Sequence, residues 1–245
     1  FAPALDAFQH MERAAEPLGR KGDVASALTY QGYEYRSSGD LDQALLVTRR
    51  AVAILHTMPE SGQMANAVSG LGSIHFDKGT MDSAMYYQQQ AVAIHHRLGY
   101  EELAALIHMD IGELYMVTDR YDLALAELER ARPVLMASPN ITQQCILLIQ
   151  TARASIGTGR LKEARKDLDL AWPMVREMEN DEHLERILNM ESLLAAAEGR
   201  FHQATLFQDS ARMALVRNLD LEKTRAMTEV RLTAEHEQEQ LAAEL

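Results

Sequence analysis

The chain has 245 residues, of which 47% are hydrophobic, and 24 Lys and Arg stand against 36 Asp and Glu for a formal charge of -12. That balance opposes phosphate backbones and anionic lipid surfaces, so neither nucleic acid nor a membrane is an expected partner. No run approaches the roughly 18 apolar residues of a spanning helix, and Cys145 has no second thiol with which to close an internal disulfide.

In chain order, Gly39 is followed five positions later by Ala44, and the pattern returns as Gly79/Ala84, Asp119/Ala124, Gly159/Ala164 and Gly199/Ala204, each 40 residues after the last. A second alanine keeps the same period at Ala51, Ala91, Ala131, Ala171 and Ala211. A fixed period of this size predicts one supersecondary unit stacked on copies of itself. Within each period, apolar residues recur at three- and four-residue steps in two blocks, which predicts paired amphipathic helices.

One period upstream of Ala44 lies Ala4, so residues 1–20 read as the second helix of a repeat whose first helix is missing, and the stretch from Phe1 reads as an excised piece. Five repeats are then expected within 21–219, at about 22–58, 59–98, 99–138, 139–178 and 179–219. Their first helices fall near 22–37, 61–77, 101–117, 140–157 and 181–198. The second helices fall near 41–56, 81–97, 121–136, 161–177 and 201–217. Small residues at 32, 72, 112, 152 and 192 suit close helix crossings, where a larger side chain costs about 1–3 kcal/mol.

Pro133 and Pro173 occupy equivalent places late in two second helices, where each reads either as bending or ending the helix or, the preferred reading, as a proline tolerated near a helix end. Cys145, in the run Cys-Ile-Leu-Leu-Ile, reads as a reduced core thiol of a cytoplasmic protein. Residues 220–245 lack Gly and Pro and read as one helix that caps the stack and projects toward an absent output domain. Its positions Met227, Val230, Ala234, Leu241 and Leu245 make a weak heptad seam, so a homodimer through this helix stands beside a solvated cap.

This spacing resembles the tetratricopeptide repeat, whose helical pairs carry small residues at set positions. Gly32, Gly39, Ala44 and Ala51 fit the first copy, and Tyr35 and Tyr115 fit its aromatic position, where His75 stands in the second copy. The resemblance covers about 22–217, although the period here is longer than the family's by six residues. It implies an all-α, right-handed superhelix of about five hairpins with its first helices lining a concave side.

By that resemblance the wall is built from Ser26, Thr29, Tyr33 and Arg36, then Asn66, Ser69, Ser73 and Phe76, then Leu106, Met109, Glu113 and Met116. Further on come Ile146, Ile149, Arg153 and Ile156, and last Arg186, Asn189, Leu193 and Ala196. The wall would be polar at its start and apolar in the middle, with Arg153 and Arg186 placed to hold a carboxylate. The apolar stretch reads either as a groove for a peptide or protein segment or as inter-repeat core.

No catalytic constellation is present: the nine histidines are scattered, His95 and His96 are adjacent and so face different ways, and no HExxH or Cys/His spacing offers a metal site. No glycine-rich phosphate loop is found, so no cofactor is expected. The sequence therefore points to a non-enzymatic interaction module for a protein or peptide. The ending, with Arg231, Glu235, Glu237, Gln238, Glu239 and Leu241, resembles the sensory region of bacterial signalling proteins that carry a diguanylate cyclase or histidine kinase domain. A peptide-pheromone receptor and a static assembly scaffold are the alternatives.

Overall fold

The computed structural model describes the backbone of residues 2–243 and the side chains of residues 3–221, 223, 224 and 226–228. The chain divides into two compact units, Phe1–Asn140 and Ile141–Leu245. The first contains α1 (Ala2–Ala15), a short 3-10 turn at Glu16–Leu18, α2 (Lys21–Ser37), α3 (Leu41–Leu55), α4 (Gly62–Asp77), α5 (Met81–Leu98), α6 (Glu101–Val117) and α7 (Tyr121–Leu135). The second contains α8 (Ile141–Gly157), α9 (Leu161–Met178), α10 (Asp181–Ala197) and α11 (Phe201–Ala243). No strand occurs among the described residues.

Helices alternate with turns at the expected period because the turn residue takes the left-handed conformation. Gly39 has φ 83° and Gly79 has φ 72°, values that cost glycine little because it has no Cβ. The third copy meets the same demand with Asp119 at φ 56°, whose Oδ1 accepts a hydrogen bond from the Tyr121 hydroxyl at 3.0 Å. Side-chain caps start several helices: the Asp40 carboxylate accepts from Gln43 N at 3.1 Å, and Asn180 Oδ1 accepts from Glu182 N at 2.8 Å.

The alanine columns hold the helices together. Ala44, Ala84, Ala124 and Ala164 are wholly buried, as are Ala51, Ala91, Ala131 and Ala171. Across the three hairpins that carry glycine there, the small residue of the first helix meets the side chain sixteen positions on. A methyl added at Gly32 would lie 2.1 Å from Thr48 Oγ1, one at Gly72 2.9 Å from Gln88 Cδ, and one at Gly112 3.1 Å from Leu128 Cγ. In the fifth copy Ser192 uses the same proximity, donating to Ala204 O at 2.9 Å.

Neither proline ends its helix early: α9 continues through Pro173 to Met178, and Pro133 stands two residues before the end of α7 at Leu135. A proline near a helix end removes few hydrogen bonds, and so it is tolerated there. One boundary differs from expectation: the helices read as ending near 217 and beginning at 220 are one, because α11 runs unbroken from Phe201 to Ala243, a stretch without Gly or Pro. The seam residues Val230, Ala234, Leu241 and Leu245, with the cap and homodimer readings that rest on them, lie outside the described side chains, as do the tail positions from Arg231 to Leu241.

Cys145 is fully buried, and burial pushes its thiol up to about 11, so it is inert at neutral pH. His75 packs as the expected aromatic, stacked on Tyr87 with centroids 5.4 Å apart and its Nδ1 2.8 Å from Thr80 Oγ1.

Candidate functional site

In the first unit, α2, α4 and α6 present one wall. Tyr33 is 37% exposed and its hydroxyl donates to Asn66 O at 3.2 Å, tying α2 to α4. The ring lies over Gly70, where a Cβ would come within 3.2 Å of Tyr33 Cε1, so the tyrosine is seated by a missing side chain. One turn further along, Arg36 clamps Asp77 with Nε 2.6 Å from Oδ2 and Nη2 3.3 Å from Oδ1. Ser69 and Ser73 are held from behind by Gln88, which accepts from Ser69 Oγ at 3.0 Å and donates to Ser73 Oγ at 3.4 Å.

Beside that clamp is a small cavity lined by Arg36, Ser73, Phe76, Gln88, Asp110, Glu113 and Leu114. Asp110 is open to solvent on one side and crowded by the wall on the others. That crowding, with the neighbouring Glu113 charge, pushes its carboxyl up to about 7 against the opposing pull of Arg36. Arg36 is already engaged by Asp77, and no protein cation pairs with Asp110 or Glu113 among the described residues. A second hollow, lined by Ser26, Thr29, Tyr30, Tyr33, Gln63 and Asn66, continues the wall toward the N-terminal end of these helices. There Tyr30, 47% exposed, stacks on Phe8 with centroids 5.0 Å apart.

The expected apolar stretch is not an open surface. Met109 is 5% exposed and Met116 1%, while Leu106 is half-buried, so two of these four first-unit wall residues are core and only Glu113 among them is polar. In the second unit Ile149 is 7% exposed and packs in the core, and Ile146, Arg153 and Ile156 are half-buried. Arg186 is exposed and paired with Glu182 at 2.7 Å, and Asn189 donates to Glu185. The inter-repeat-core alternative therefore holds for Met109, Met116 and Ile149. The physical reason is length: an unbranched or branched aliphatic side chain on the inner helix folds into the seam between neighbours, where burial is worth about 1.5–3 kcal/mol.

Sequence reasoning missed Asp110, Tyr30 and Gln63, which stand beside the positions the resemblance assigns to the wall. Asp110 was legible as the one carboxylate in the mostly apolar stretch from Leu103 to Gly112 (Leu106, Ile107, Met109, Ile111).

The fold and this wall define a helical-repeat solenoid of the tetratricopeptide type. Among solved structures, the chain superposes on BtubC (BKLC) from P. vanneervenii with TM-score 0.74 and 14% identity, over 88% of this chain and 91% of that one. It is similar to the Rap conjugation gene regulator of plasmid pLS20, solved in complex with a Phr peptide, at TM-score 0.61 and 16% identity over 90% of this chain and 71% of that one. It is also similar to a STAND signal-transduction ATPase with a tetratricopeptide repeat sensor from Pyrococcus horikoshii, at TM-score 0.61 and 13% identity over 92% of this chain and 38% of that one. No protein-family model matches the chain, and no curated protein matches it. Identities this low describe a shared fold.

Proposed function

We propose that the chain is a non-catalytic recognition module that binds an extended polypeptide segment along the α2/α4/α6 wall and accepts a cationic side chain of that segment between Asp110 and Glu113. The observation that carries this is the pair of carboxylates without a protein cation, set in a cavity whose one arginine is engaged elsewhere. A lysine or arginine entering there would lower the Asp110 pKa and gain charge-assisted hydrogen bonds in a partly desolvated place. Tyr30, Tyr33 and Asn66 supply rigid aromatic surface and an amide for the neighbouring backbone, as peptide-binding walls do. The Rap regulator solved with its peptide supports a peptide ligand for this fold.

The wider setting is a sensory region of a signalling protein, in which ligand binding biases two arrangements of the repeats and α11 carries the difference onward. The STAND protein with a repeat sensor is in keeping with that setting. A peptide-pheromone receptor, favoured by the Rap likeness, and a static scaffold are the competing readings; scattering with and without partner separates a sensor from a scaffold.

An array of extended peptides that differ only in one central residue tests the site. Lys or Arg at that residue should bind best, binding should weaken as salt rises, and Asp110→Asn with Glu113→Gln should abolish the preference. Equal binding of Lys and Glu peptides by the unsubstituted chain would remove the cationic pocket from the reading.

A further inference from the structure

The wall changes its chemistry at the same two places of three successive first helices. Tyr30 and Tyr33 hold those places on α2, Gly70 and Ser73 on α4, and Asp110 and Glu113 on α6, each pair 40 residues after the last. An aromatic station and an acidic station therefore flank a floor of small residues. The aromatic station is a short stack with an open end: Phe8 lies against Tyr30 with centroids 5.0 Å apart, and Tyr33 meets Tyr30 edge-on at 6.2 Å. Tyr30 and Tyr33 keep 47% and 37% of their surface exposed, so two neighbouring rings face solvent.

The rim of that hollow is only partly committed. Gln63 donates to Ser26 Oγ at 2.9 Å and the Tyr33 hydroxyl donates to Asn66 O, but the Tyr30 hydroxyl and the Asn66 side-chain amide have no protein partner among the described residues. On the floor, Ser73 Oγ accepts from Gln88 at 3.4 Å, which leaves its own proton for a ligand carbonyl. A third ring laid on the two tyrosines gains about 0.5–1.5 kcal/mol beyond its buried area, so the station favours an aromatic side chain over an aliphatic one.

Helix α4 fixes the separation of the two stations. It lines the aromatic hollow with Gln63 and Asn66 and the acidic cavity with Ser73 and Phe76, ten residues further on. At about 1.5 Å per residue the advance is about 15 Å. An extended chain rises about 3.3–3.4 Å per residue, so four residues cover about 13–14 Å and leave the rest to the side chains. Side chains alternate along such a chain, and residues three or five apart point to opposite faces. A helical ligand would need about ten residues for the same advance, and residues ten apart on a helix diverge by about 80°.

We infer that the ligand is an extended peptide carrying an aromatic residue four positions from its Lys or Arg, the ring seated on Tyr30 and Tyr33 while the cation sits between Asp110 and Glu113. The register rests on the cationic reading of the acidic cavity and adds to it a second side-chain subsite and a spacing.

Fluorescent peptides of Ser, Thr and Gly with one Lys test it, a Phe being placed two to six positions from the Lys on either side. In anisotropy titrations the four-residue spacing, in one chain direction, should bind roughly tenfold tighter than the three- or five-residue spacing or the peptide with Ala for Phe. Tyr30→Leu keeps an apolar side chain against Phe8. It should retain the helical circular dichroism and the preference for Lys over Glu, and lose the gain from Phe. A Lys preference indifferent to the place of Phe, an optimum at another spacing, or a Phe gain that survives Tyr30→Leu overturns the register and leaves the acidic cavity standing. Equal binding of Lys and Glu peptides, or no binding of any, overturns the cavity reading and the register with it.

Discussion

Glu191 on α10 accepts from Arg165 Nη1 on α9 at 2.8 Å with each of its two carboxylate oxygens, and its side chain is 3% exposed. Trp172 Nε1 donates to the same carboxylate at 2.9 Å, so two side chains of α9, about two turns apart, converge on one buried charge of α10. Removing one partner of such a pair strands the other, whereas replacing both with apolar groups need not cost stability. Arg165→Ala should therefore lower unfolding free energy by about 3–5 kcal/mol. The double change Arg165→Met with Glu191→Leu should recover most of the loss, and urea melts of the three proteins measure the difference.

Glu179 ends α9 with φ 47°, a left-handed conformation held by a residue that has a Cβ. Strain of this kind costs about 1–2 kcal/mol and disappears with glycine. Glu179→Gly should raise the melting temperature, while Gly199→Ala, at φ 76°, should lower it by a similar amount. The two substitutions together give a thermal test of where strain resides.

Core and wall positions on α6 should separate cleanly. Met109→Glu places a charge at a site only 5% exposed, and a loss of more than about 3 kcal/mol is expected. Ala124→Leu should cost about 1–3 kcal/mol by forcing α6 and α7 apart. Tyr33→Ala, on the exposed wall, should leave the melt near that of the parent chain and reduce peptide affinity in anisotropy titrations.

The Asp110 carboxyl stands at about 7 in the folded chain, well above its ordinary value of 3.8. A group whose folded pKa is raised contributes stability that is full below the unfolded pKa and is lost as pH rises through the folded value. Wild-type stability should accordingly fall between about pH 4 and pH 7, by an amount on the order of 1 kcal/mol because open solvent screens one side of the group. Asp110→Asn should be the more stable protein near about pH 8, with the gap closing toward about pH 5; His95, whose pKa burial lowers, pulls the other way at acid pH and is the same in both proteins.

The hairpin register was legible because it depends on local and periodic chemistry. Gly39 and Ala44 mark a turn and a helix crossing wherever they recur, and every first and second helix starts within a residue of its expected place. The Glu191 and Arg165 pair left a fainter trace: Arg165 stands in a column with Leu5, Leu45, Met85, Leu125 and Thr205, and Glu191 in one with Gln31, Leu71, Ile111 and Thr151. Arg165 is a charged departure in a mostly apolar column, but the Glu191 column is mixed, and the columns do not say that the two residues face each other. The wall was read only in outline, since the fate of Met109 and Ile149 depends on how long side chains fill the seam between neighbours.

Period, helix pairing, turn positions and the burial of the alanine columns were determined by the sequence itself, because each follows from steric rules that act within one repeat or between identical copies. Tertiary structure alone decided which inner-helix residues remain open and that Asp110 and Glu113 share a cavity with an already engaged Arg36. Those outcomes depend on distances between side chains of different repeats, and a separation of a few ångströms across a helix interface has no signature in residue spacing.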